Sequence, residues 1–151
     1  MPRRVVTGNN ATGRSYVVSD EIVDEVIVWD TAGRSDPFGG GPVPRQPTSI
    51  PVLEPPRGGT KCFRVTMPPW KIAKPMLASN PVAGMDSEGF HRTETIDYVM
   101  MIDGEITCLL DEGEVTLRAG DLLIQRNTNH AWQVRADQPA NYWAVMVSAN
   151  M

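Results

Sequence analysis

A chain of 151 residues is long enough to bury one sizeable core and short for two domains. With 41% hydrophobic and 21% charged residues it is not compositionally disordered, and a net charge of -4 offers no cationic face for a polyanion, which excludes nonspecific nucleic-acid binding. No apolar run that could act as a signal core or membrane span follows Arg3 and Arg4, so a cytoplasmic location without membrane contact is expected.

In chain order, Ser15 to Ser19 and Glu25 to Trp29 are rich in Val and Ile and predict an N-terminal β arm laid against a sheet. From Thr31 to Gly59 the composition turns to Gly39-Gly40-Gly41 and a series of prolines, Pro42 to Pro56, predicting a long loop that serves as a lid or a subunit-wrapping arm. Lys61 to Met67 alternates Phe63, Val65 and Met67 with Cys62, Arg64 and Thr66, the period of a strand. Between Trp70 and Asn80 a short helix is predicted, limited by Pro75 to a turn or two.

After a loop over Pro81 to Gly89, strands are expected at His91 to Ile102, Glu105 to Leu110, Glu114 to Leu117, Leu122 to Gln125, His130 to Val134 and Asn141 to Val147. Gly and Asp turns separate them, the pattern of an all-β sandwich or barrel. One domain over residues 1–151 is expected, with arm and loop in 1–60 and the barrel core in 61–151. Cys62 and Cys108 lie alone in strand-like runs without metal spacing, which suits two buried reduced thiols; whether they pair depends on geometry.

Strand alternation puts His91, Thr93, Thr95, Asp97 and Val99 on one face. His130, the other of the two histidines, begins a strand after a tight turn, and barrel closure would bring it opposite His91. Two imidazoles and a carboxylate in one enclosure can bind a divalent metal or move protons.

These residues resemble the motifs of the cupin superfamily over roughly the C-terminal two fifths of the chain. The family's first motif runs Gly, His-x-His, three or four residues, Glu, six residues, Gly; here His91-Arg92-Thr93, Asp97 and Gly104 stand at those positions. Its second runs Gly-Asp, a strand, Pro-x-Gly, two residues, His; here Gly120-Asp121, Gln125-Arg126-Asn127 and His130 stand there. Thr93 replaces a histidine, Asp97 replaces a longer glutamate, and the strand before Gln125 is one residue short. The string from His91 to Tyr98 looks like a distinct subgroup of small bacterial and fungal cupins.

The resemblance implies a single double-stranded β-helix, or jelly-roll, barrel. It implies a divalent metal (Fe, Mn, Zn or Ni) on His91, Asp97 and His130, or metal-free acid/base chemistry with none. The leading expectation is a dehydratase-like lyase acting on a small-molecule substrate, with His130 as base and His91, steered by Asp97, as acid. Thr93 and Gln125 would place the substrate. A metal-dependent oxygenase and a non-catalytic ligand-binding barrel are the alternatives. Arg64 could clamp a substrate carboxylate, and one of Trp132 and Trp143 is expected to wall the pocket. Barrels of this kind expose sheet edges, so a homodimer is expected.

Overall fold

The computed structural model describes residues 1–31 and 52–149. Among them the elements run β1 (Arg3–Asn9), β2 (Ser15–Ile22), β3 (Ile27–Asp30), β4 (Thr60–Met67), α1 (Trp70–Ser79), β5 (Thr95–Asp103), β6 (Glu105–Leu110), β7 (Glu114–Arg118), β8 (Leu122–Arg126), β9 (His130–Gln133) and β10 (Ala140–Ser148). Most of the predicted Gly/Pro-rich loop, residues 32–51, lies outside the described residues.

Two antiparallel sheets enclose the core. The larger has the order β3-β4-β10-β5-β8 and the smaller β7-β6-β9. Bridges through His91 and Met85 extend the smaller sheet beyond β9. Val99 and Met101 of β5, Ile106 of β6, Leu117 of β7 and Tyr142 of β10 meet in one cluster, so the sheets share a single interior. This is the all-β, double-stranded β-helix barrel. Strand β5 shows why it forms: Thr95, Asp97, Val99 and Met101 are buried, while Ile96, Tyr98, Met100 and Ile102 face outward.

Two motif positions are explained by backbone conformation. Gly104, in the turn between β5 and β6, has φ +75°, and a Cβ there would lie 2.7 Å from the Pro139 carbonyl oxygen and 2.8 Å from Ala140 Cα. Only glycine fits that approach. Asn127 stands where the family motif has glycine and adopts φ 51°, in the left-handed region that asparagine tolerates better than most residues.

The structure departs from the sequence-based expectation in three places. The N-terminal arm contains an additional strand, β1, which pairs with β2 in a separate two-stranded sheet; β3 alone joins the barrel, beside β4. The turn between β1 and β2 is set by Asn10, whose Oδ1 accepts from the amides of Thr12 and Arg14. Helix α1 spans 10 residues despite Pro75. It lies on the surface with no buried residue, so water can satisfy the carbonyl that Pro75 cannot reach. Finally, His91 to Glu94 is not a strand: pairing of β5 starts at Thr95, and His91 makes an isolated bridge.

Cys62 and Cys108 are both free thiols. Burial pushes each thiol up to about 11, which keeps it protonated and unreactive at neutral pH.

Candidate functional site

His91 and His130 do not face each other across the barrel. They are direct cross-strand neighbours: the His91 amide donates to the His130 carbonyl at 2.9 Å, and the His130 amide returns the bond at 3.0 Å. Their side chains therefore emerge together, with ring centroids 4.3 Å apart and planes tilted by 54°. Each ring is pinned in the same way, through Nδ1 at 2.9 Å to the carbonyl of the residue two before it, Gly89 for His91 and Thr128 for His130. A carbonyl only accepts, so each Nδ1 carries the proton and each Nε2 keeps its lone pair.

Both imidazoles border a cavity of about 220 Å³ between the two sheets. Strand β4 supplies Phe63, Val65 and Met67, and β10 supplies Tyr142, Ala144 and Met146. Asp97 and Val99 enter from β5, and Trp132 from β9. Leu53, Val82 and Met85 close it from the connecting segments. Trp132 meets His130 edge-on at 5.6 Å and lies nearly parallel to Tyr142 at 6.1 Å, so the aromatic rings brace one of the imidazoles.

The electrostatics follow from this enclosure. Burial lowers the His130 pKa to about 4, opposed by the Thr128 carbonyl and reinforced by the neighbouring His91. Burial also lowers that of His91, which the Gly89 carbonyl and Asp86 partly offset. At neutral pH both rings are uncharged. Asp97 moves the other way: burial raises its pKa, the Thr95 hydroxyl opposes this, and Glu54 adds to it. One of its oxygens, Oδ1, is buried without a hydrogen-bond partner.

Such an orphaned oxygen is an atom that a cation could satisfy. Among the described residues, however, no three of His, Cys, Asp and Glu stand close enough together to hold a metal ion. His91, Asp97 and His130, the set implied by the resemblance, are thus not assembled as a metal cage in this structure. Nor does Asp97 steer His91, because the Nδ1 of His91 is taken by Gly89.

Other nominated residues sort by strand parity. Trp132 lines the cavity, whereas Trp143 points out of the barrel beside its register partner Arg64, whose guanidinium lies 5.7 Å from the Trp143 ring. Arg64 bonds the Val65 carbonyl and Asn141 and does not reach the cavity. Thr93 is buried and shares a 2.7 Å hydrogen bond with Thr95; it borders a separate cleft on the far side of His91. Gln125 is buried opposite Asp97 in the sheet, with the Cys108 thiol 3.9 Å from its Oε1, and is not among the residues that line the cavity.

Sequence reasoning missed the apolar walls contributed by Leu53, Val82 and Met146. Met146 shares its parity with Tyr142, a detectable signal; Leu53 and Val82 lie in loops and carry none.

Fold and site together define an all-β barrel with a partly open, imidazole-lined cavity of small-molecule size. No family model matches the chain. Over 47 residues it is 53% identical to the phomopsin biosynthesis cluster protein C' of Diaporthe leptostromiformis, covering 30% of this chain and 25% of that protein. Over 43 residues it is 44% identical to a cupin-domain-containing oxidoreductase of Neurospora crassa, covering 28% and 22%. The matched part thus spans about a quarter of the length of these curated relatives. Among solved structures it is similar to a cupin 2 conserved barrel domain protein from Salinispora arenicola, with 16% identity, a TM-score of 0.44, and coverage of 60% of this chain and 64% of that one. The barrel described above rests on strand order, register and core rather than on this distant likeness.

Proposed function

We propose that this chain is a small cupin-type lyase that removes water from a small β-hydroxy carbonyl compound by acid/base chemistry in the barrel. The observation that carries the proposal is the pair of adjacent imidazoles, each held at Nδ1 by a backbone carbonyl, bordering an apolar cavity that a protonatable carboxyl also lines. His91 serves as the base: it borders the cavity, and with Nδ1 held by the Gly89 carbonyl its Nε2 lone pair is free to take a proton. Its Nε2 takes the proton from the carbon next to the carbonyl, and that electron pair forms the C=C bond. The C–O bond breaks, and the hydroxyl leaves as water with the proton of Asp97. The imidazolium then returns a proton to the Asp97 carboxylate, which restores the site. His130 holds the substrate hydroxyl through its Nε2 lone pair. The names of relatives from biosynthesis clusters support a small-molecule tailoring role.

The test uses 4-hydroxy-4-phenyl-2-butanone, whose dehydration gives a conjugated enone followed by ultraviolet absorbance. Wild-type protein should form the enone, and His91→Ala and Asp97→Asn should not. Equal rates in all three would end the proposal. A second reading, a metal-dependent oxidoreductase, draws on the similarity to the cupin-domain-containing oxidoreductase of Neurospora crassa. Substrate-dependent oxygen uptake abolished by a chelator would favour it. We also propose that the protein acts as a homodimer through the outer face of the larger sheet, where Tyr98, Met100, Leu122 and Ile124 form neighbouring exposed pairs.

A further inference from the structure

We infer that the cavity selects an uncharged, flat, single-ring molecule that donates a hydroxyl hydrogen bond, and discriminates against carboxylates of the same shape. This rests on the cavity being the reaction site, whichever reaction it carries out.

Size sets the first limit. A cavity of about 220 Å³ is below the range of about 300–1,000 Å³ that suits drug-sized ligands, so one ring with short substituents fills it. The walls set the shape: Trp132 and Tyr142 both line the cavity, their rings stacked within 29° of parallel, so a flat ring can lie against aromatic surface. Met67, Met85 and Met146 also line it, with flexible thioethers that adapt to a ring.

Polar groups set the chemistry. With both Nδ1 atoms held by carbonyl oxygens, the Nε2 atoms are the ring nitrogens left for a ligand, and as lone pairs they call for an O–H or N–H. Among the described residues no lysine or arginine lines the cavity. A carboxylate entering it would lose its hydration, meet no cation among the described residues and face the two Nε2 lone pairs. The Arg64 guanidinium, which could have supplied that cation, is committed outside the barrel against Trp143.

The test is isothermal titration of the full chain with 4-hydroxyacetophenone and 4-hydroxybenzoate, which share a ring and a phenol and differ in methyl ketone against carboxylate. The ketone should bind at least about tenfold more tightly. It should also lose at least about tenfold in affinity to His130→Asn and, as a second variant should that one not fold, to Trp132→Leu. The inference is overturned by 4-hydroxybenzoate binding as tightly as the ketone, by neither compound binding, or by unchanged affinity in folded variants. Because binding is read without turnover, failure of the elimination chemistry leaves this result separately readable.

Discussion

Acid should cost this fold stability through His130. Its side chain is 2% exposed and its pKa in the fold is about 4, whereas the unfolded chain protonates it at the ordinary 6.5. Above pH 6.5 both states hold the ring neutral. As pH falls from there the unfolded chain gains a proton that the folded chain refuses, so stability drops by about 3 kcal/mol across the window. Below about 4 both states are protonated and the loss stops growing. His91 acts in the same direction. Asp97, with a raised pKa, acts in the opposite one: its protonated form is favoured in the fold, so its effect on stability weakens the fold as pH rises. The exposed carboxylates of Asp20, Glu21, Glu114 and Asp137, all lowered by cationic partners, lose them only at more acidic pH. Urea unfolding of wild type and His130→Gln at about pH 7.5 and about pH 4.5 isolates the term, since the other groups are common to both. Wild type should lose about 2 to 3 kcal/mol more than the variant between these conditions. Equal acid losses would refute burial of a neutral imidazole as the cause.

Three further outcomes are expected. Asp97→Asn should lower enone formation by about 10² to 10⁴, the usual worth of a positioned acid, while circular dichroism stays native. Gly104→Ala should lower stability by about 1–3 kcal/mol or more in urea unfolding, because it adds left-handed strain to a 2.7 Å contact with the Pro139 carbonyl oxygen. Leu122→Glu combined with Ile124→Glu should shift the sedimentation mass from dimer to monomer; an unchanged mass would remove the outer face as the contact.

The parts of the fold that were legible in the sequence are those in which polarity alternates. On β5, Thr95, Asp97, Val99 and Met101 turned inward as the period of two predicted, and on β4 alternation holds against the expectation of an inward Arg64, since Phe63 lines the cavity and Arg64 does not. On β10, apolar residues occupy both faces because the strand is central, between β4 and β5, so alternation could not tell Trp132's partner Tyr142 from the outward Trp143. Both histidines border one cavity, and their adjacency depends on the bridge between the His91 segment and the start of β9, a long-range pairing without local signature. The same holds for the ligand set: spacing along the chain suggested three ligands, and whether three side chains gather is decided by long-range packing that spacing does not carry.

Lys61 has a consequence for how the cavity wall is held together. Its buried ammonium, on the barrel wall, donates to the carbonyls of Val52 and Glu54 at 2.9 and 3.0 Å and lies 3.4 Å from the Asp30 carboxylate. One charge thus works as a clasp on three stretches of chain: the edge strand β3, the wall strand β4, and the strap that carries Leu53 to the cavity rim. The segment that brings Leu53 to the cavity and the sheet margin are fastened by the same hook, so whatever loosens one unfastens the other.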